Sequence, residues 1–151
     1  MRNFILSLFI SLCVYSHSQA AYFQKYQPIA DSFETVYGIP SSIMLAIALQ
    51  ESGGGKSKVA KLLNNHHGIT GKNNLLKTHG IKSMYQYYSS DTASYEGFCK
   101  IVARRKFYIT LRGSTDYRKW IYAIAKSGYA GSNGSHWATV IIGIVKKYSL
   151  N

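Results

Sequence analysis

The run Ile43-Met44-Leu45-Ala46-Ile47-Ala48-Leu49-Gln50-Glu51, entered through Ile39-Pro40-Ser41-Ser42 and left through Gly53-Gly54-Gly55, constrains this chain more than any other feature. As a helix from Ile43 to Glu51 it is apolar nearly all round, so it must be central and covered by other elements rather than laid on a surface. Proline in or just before the first turn, with serine available as a cap, marks where it starts. The three glycines mark where it stops.

The rest of the chain supplies the cover. Tyr22 to Tyr37 carries Phe23, Tyr26, Ile29, Ala30, Phe33 and Tyr37 near one helical stripe and ends at Gly38. Lys58 to Leu63 reads as a short helix. Asn64 to Tyr88, rich in Asn, Gly, Lys and His, reads as a loop followed by a hairpin or a single strand at Met84–Tyr88. Ser89-Ser90-Asp91 caps a helix reaching about Arg105, Asp116 to Ser127 forms an amphipathic helix closed by Gly128, and a last helix runs from about Ser135 to Tyr148. The order is mostly α with one small β excursion, an α+β fold in a single compact domain. With 46% hydrophobic and 16% charged residues in a chain of 151, disorder, collagen and coiled coil are excluded.

The first twenty residues, MRNFILSLFISLCVYSHSQA, have Arg2 ahead of an apolar stretch and the small residues Ser18 and Ala20 at positions −3 and −1. They read as a signal peptide, residues 1–20, cut before Ala21 and followed by one domain over 21–151; the protein is expected to be exported, periplasmic or extracellular. The apolar run is too short to be read as a membrane span. Cys13 lacks the small preceding residue of a lipoprotein site, and its loss with the signal leaves Cys99 without a disulfide partner, best read as a small buried residue. Lysines and arginines number 18 against 6 acids, a formal charge of +12. Such an excess seeks a polyanion. Export favours an anionic cell envelope over nucleic acid, which is not expected as a partner.

Carboxylate chemistry must come from Asp31, Glu34, Glu51, Asp91, Glu96 or Asp116. Glu51 follows Ile47 by four residues and Ile43 by eight, so it shares a face with core positions and is the last charged group before the glycine run. The helix therefore delivers a carboxyl from the core to the lip of whatever lies beyond, partly withdrawn from water. A general acid needs such a carboxyl, able to keep its proton until a leaving oxygen takes it. The glycines let backbone come close to a ligand.

IPSSIMLAIALQESGGGKS, then NNHHGIT, YYSSDTASYEGFCKIVARRKFY and DYRKWIYAIAKSGYA, together resemble glycoside hydrolase family 73, bacterial peptidoglycan N-acetylglucosaminidases, across the whole chain after residue 20. The resemblance implies a lysozyme-like fold with a groove between a helical body and a small β-hairpin lobe, and no cofactor or metal. It implies that Glu51 is the general acid and that Tyr129, within Gly128-Tyr129-Ala130, stands beside the cleaved bond to position the sugar's acetamido group or stabilise developing positive charge. Asn65 and Gly68 match a turn that shapes the groove floor. His67 stands where the family has an aromatic and lines the cleft; His66 and His67, being adjacent, diverge and lack a third metal ligand. Tyr85, Tyr87 and Tyr88 are candidates for stacking on sugar faces. The implied substrate is the peptidoglycan glycan strand.

The chain departs from the family in two places. Glycosidases usually flank the bond with two carboxyls, and family members often supply the second from the hairpin. Here ITGKNNLLKTHGIKSMYQYY contains no acid, and Gly54 stands where the family often has an aromatic. Asp91 is the nearest candidate for a second acid. Three accounts follow: hydrolysis assisted by the substrate's own acetamide, a lytic transglycosylase working with one glutamate, or a non-catalytic glycan-binding accessory with a protein partner in an envelope machine.

Overall fold

In the computed structural model the described backbone runs from Arg2 to Leu150 and the described side chains from Gln19 to Leu150. The predicted signal segment lies outside the described side chains except for Gln19 and Ala20. Helix α1 spans Arg2–Tyr37 and places Tyr22, Phe23, Tyr26 and Ala30 in the core, with Ile29, Phe33 and Tyr37 packed against it. Among the described residues no helix is long and apolar enough to cross a membrane.

Helix α2, Ser41–Ser52, is the central element predicted from its all-round hydrophobicity: every residue from Ser41 to Leu49 is buried, and α1 and the helices over Tyr117–Lys126 (α7) and Gly134–Lys147 (α8) pack on it. Its cap differs from the one expected. Neither Ser41 nor Ser42 caps; Pro40 holds that position with no side-chain bond, and the Ser41 amide donates instead to Glu34 Oε2 on α1 at 2.9 Å. An orphan N–H is thus met by a carboxylate from another helix, joining α1 to α2. At the other end Gly53, Gly54 and Gly55 all have positive φ, a left-handed sequence that side chains rarely adopt, and Gly54 N–H returns to the Leu49 carbonyl at 2.9 Å.

Helix α3, Lys58–Leu63, is capped by Ser57. Helix α5, Asp91–Ala103, is capped by Ser90, and α7, Tyr117–Lys126, by Asp116. Helix α8 covers Gly134–Lys147. Two short helices were not anticipated, α4 over Leu75–His79 and α6 over Tyr108–Leu111, and a 3-10 turn covers Gly131–Asn133. Cys99 is buried with its thiol proton on Met44 Sδ, and burial pushes the thiol up to about 12, so it is an inert core residue.

The expected hairpin lobe is not there as a ladder. Among the described residues the segments around Thr70 and Tyr85 share one antiparallel bridge, with α4 between them. Backbone bonds from Gly71 N–H to the Met84 carbonyl, Gln86 N–H to that of Ile69 and Tyr87 N–H to that of Lys72 join the segments, and side chains extend the pairing. Asn65 Nδ2 donates to the carbonyls of Ile69 and Gln86, Asn73 Nδ2 to those of Ser83 and Tyr85, and Gln86 Oε1 accepts from Lys72 N–H. Backbone groups satisfied this way need no regular pairing.

Candidate active site

Glu51 lies on the last turn of α2 and opens into a cleft of about 370 Å³, whose walls include His67, Gly68, Thr70, Arg105 and Tyr129. The carboxyl is exposed, more so than a group partly withdrawn from water. It is nevertheless held. Trp137 on α8 donates its indole N–H to Glu51 Oε1 at 2.8 Å, which leaves Oε2 to face the turn at Gly68. A Cβ built on Gly68 would stand 3.1 Å from Oε2, and φ there is +64°. Gly68→Ala is therefore expected to carry about 1–2 kcal/mol of left-handed strain and to push the carboxyl aside. Thermal unfolding of the variant should shift by about 2–4 °C per kcal/mol lost.

Tyr129 stands across the cleft, its half-buried ring edge-on to Phe98 at 5.8 Å and 5.7 Å from Trp137. Its hydroxyl donates to the His67 carbonyl. Burial, then the charge of Glu51, then Tyr88 raise the phenol well above its ordinary range, so it works as a neutral hydroxyl with one lone pair still open. His67 lines the cleft through its backbone; its ring turns inward, stacks on Phe98 at 4.5 Å and donates Nε2–H to the Met44 carbonyl. Nδ1 is then a buried acceptor without a partner in the structure.

Asn65 is buried, with both amide N–H groups spent on the Ile69 and Gln86 carbonyls and Oδ1 accepting from Ile69 N–H, so it builds the turn. His66 braces the same turn from behind. Its Nε2–H donates to Asp91 Oδ1 at 3.1 Å, and Nδ1 accepts from Tyr22 at 2.9 Å. Asp91 also accepts from Tyr26 at 2.9 Å and pairs with Lys25 at 3.3 Å. Burial opposes its charge, but the bonds from Tyr26 and His66 outweigh burial and hold the carboxyl below its usual range. Asp91 is thus a strut between α1, the turn and α5, and it is not among the cleft-lining residues.

The three tyrosines part company. Tyr85 lines a separate apolar cavity of about 490 Å³ with Leu75 and Met84, and Tyr87 is exposed. Tyr88 seats on α5 at Gly97, where a Cβ would come within 2.5 Å of its ring, and is close enough to Tyr129 to affect it. Two site residues escaped the sequence reading, Trp137 and Arg105. Apart from Glu51, no carboxylate lines the cleft among the described residues.

The family model described as "Glucosaminidase: Mannosyl-glycoprotein endo-beta-N-acetylglucosaminidase" matches residues 27–150. No curated protein matches the chain by sequence. Among solved structures it is similar to the catalytic domain of the autolysin Auto from Listeria monocytogenes, with TM-score 0.70 and 19% identity over 88% of this chain and 85% of that one. It is also similar to the glycoside hydrolase domain of FlgJ from Salmonella typhimurium, with TM-score 0.66 and 17% identity over 87% and 88%. A third likeness, with TM-score 0.63 and 22% identity over 87% and 94%, is to a chain in a type VI secretion system effector–immunity complex from Pseudomonas protegens. At these identities the likeness shows the fold, mostly helical and lysozyme-like.

Proposed function

The chain belongs to the glucosaminidase family, glycoside hydrolase family 73, and on that footing we propose that it is exported and cuts β-1,4 bonds of peptidoglycan glycan strands after N-acetylglucosamine, with Glu51 as general acid. One observation carries the assignment of roles: a cleft with a single carboxylate, fixed at one oxygen by Trp137 and facing a neutral tyrosine across it. Export is supported by the signal-like first twenty residues. The basic excess suits an anionic envelope.

Because Trp137 donates to Oε1, that oxygen is an acceptor and the transferable proton belongs on Oε2, the atom beside Gly68. Oε2 hands it to the bridging oxygen as the C1–O bond breaks. With no second carboxylate lining the cleft among the described residues, the sugar's acetamide oxygen attacks C1 in its place, the substrate-assisted route that needs one protein acid. Water then opens the cyclic intermediate, losing its proton to Glu51. Tyr129, whose own proton is committed to the His67 carbonyl, offers its free lone pair to the acetamide N–H or to the charge growing at C1.

Mass spectrometry of digested walls tests this reading. Reduced-end N-acetylglucosamine is expected. Anhydro-muramic ends would replace hydrolysis by a lytic transglycosylase using the same glutamate, and no products with retained wall binding would leave a glycan-binding accessory. Trp137→Phe should keep KM within about twofold and lower kcat about tenfold, near the value of one hydrogen bond to a charged group at an exposed site; an unchanged kcat would remove Trp137 from the machinery.

A further inference from the structure

We propose that the cleft continues past Arg105 into a subsite for a carboxylate carried by the glycan, held by Arg105, Lys106 and Lys126; the inference rests on the glycan-cleaving reading above. Arg105 is shared by two hollows. On one side it lines the cleft with Glu51 and Tyr129, and on the other it lines a hollow of about 430 Å³ together with Lys106, Phe107, Ala123 and Lys126. Lys126 in turn borders a third hollow of about 270 Å³ at the 3-10 turn. A polymer lying along Glu51 therefore meets a trough whose first charged groups are three cations and no anion.

Nothing within the described protein neutralises them. The ion pairs join Asp91 to Lys25 and His66, Glu96 to Lys100 and Asp116 to Lys119, and none reaches Arg105, Lys106 or Lys126. Three like charges around one concavity repel one another and favour an anion between them. Arg105 brings the planar fork that suits a carboxylate. Phe107, half-buried and held edge-on to Trp120 at 6.2 Å, forms with Ala123 an apolar wall for a sugar face or a methyl group. A neutral amino-sugar polymer gives the three cations nothing to bind. A strand whose alternate sugars carry carboxylates fills the site.

Binding of fluorescent glycan strands by the Glu51→Gln protein, which leaves them uncut, provides the test. Strands stripped of stem peptides, with the carboxylate on the sugar's lactyl group, and strands keeping their peptides are each compared with the same strands after amidation of their carboxylates. We expect amidation to weaken binding about tenfold. Lys106→Gln/Lys126→Gln should bring the ratio near one, whereas Lys61→Gln/Lys77→Gln, an equal change of charge on α3 and α4, should leave it. The strand type with the larger ratio names the carboxylate's source. Amidated and native strands binding alike, or both lysine pairs lowering the ratio equally, would overturn the subsite. The readout needs no turnover: carboxylate preference without wall digestion keeps the subsite and rejects the hydrolase, and digestion without preference does the reverse.

Discussion

Replacing Glu51 by Gln should lower turnover of peptidoglycan by about a thousandfold, the middle of the range that general acid catalysis supplies. The amide keeps the shape of the carboxyl and its carbonyl oxygen still accepts from Trp137, so the loss isolates the proton on Oε2. Stability should hardly move, because Glu51 is exposed and carries no ion pair among the described residues; a change within about 0.5 kcal/mol is expected at such a site. The check is a wall zymogram beside thermal unfolding of both proteins. Clearing by the mutant at even a tenth of the parent rate would move the acid elsewhere. Asp91 is a poor substitute, since Tyr26, His66 and Lys25 already occupy its oxygens.

The elements that local chemistry determines could be read before any coordinates. Helix α3 falls on the predicted Lys58–Leu63, α5 follows the serine expected to cap it, and α7 follows Asp116, where a helix was expected to start. Helix α2 was legible because hydrophobicity on all sides leaves only a buried position for it. The segment from Asn64 to Tyr88 was not, because a few backbone bonds between distant residues are completed by Asn65, Asn73 and Gln86 side chains across up to 21 residues. Alternation carries no trace of such bonds. Nor does it report α4, five residues resting on one buried leucine, Leu75.

The site divides in the same way. Glu51, Gly68 and Tyr129 lie in motifs that can be recognised locally, and the structure gathers them around one cleft. Trp137 meets Glu51 across 86 residues of chain, and Arg105 enters the cleft only because α5 ends where it does. Neither carries a local signal beyond being an aromatic and a cation. His67 lines the cleft as expected, but its ring is held in the core by Phe98 and the Met44 carbonyl, and its backbone carbonyl accepts from Tyr129.

That buried ring makes the fold sensitive to acid. Burial, reinforced by neighbouring His66 and only partly offset by the bond to Met44, lowers the His67 pKa to about 3 from its ordinary 6.5. Between those values the unfolded chain takes up a proton that the folded one refuses, so unfolding becomes easier as pH falls, by about 1.4 kcal/mol per pH unit. The full window would cost about 4–5 kcal/mol, comparable with the whole stability of a small domain. His66, also lowered by burial, adds with the same sign. Asp91, Glu96 and Asp116 contribute differently: held below their usual range, they lose stability only as pH falls through their folded values, beneath the usual carboxylate pKa. Urea unfolding at pH 7, 6, 5 and 4.5 should therefore show midpoints falling steadily with acid. His67→Phe, which keeps a ring to stack on Phe98 but cannot titrate, should flatten most of that slope, leaving the smaller share due to His66. If the parent and His67→Phe proteins lose stability in parallel from pH 7 to 4.5, the inward-turned neutral imidazole is wrong, and with it the placement of the carbonyl that holds Tyr129.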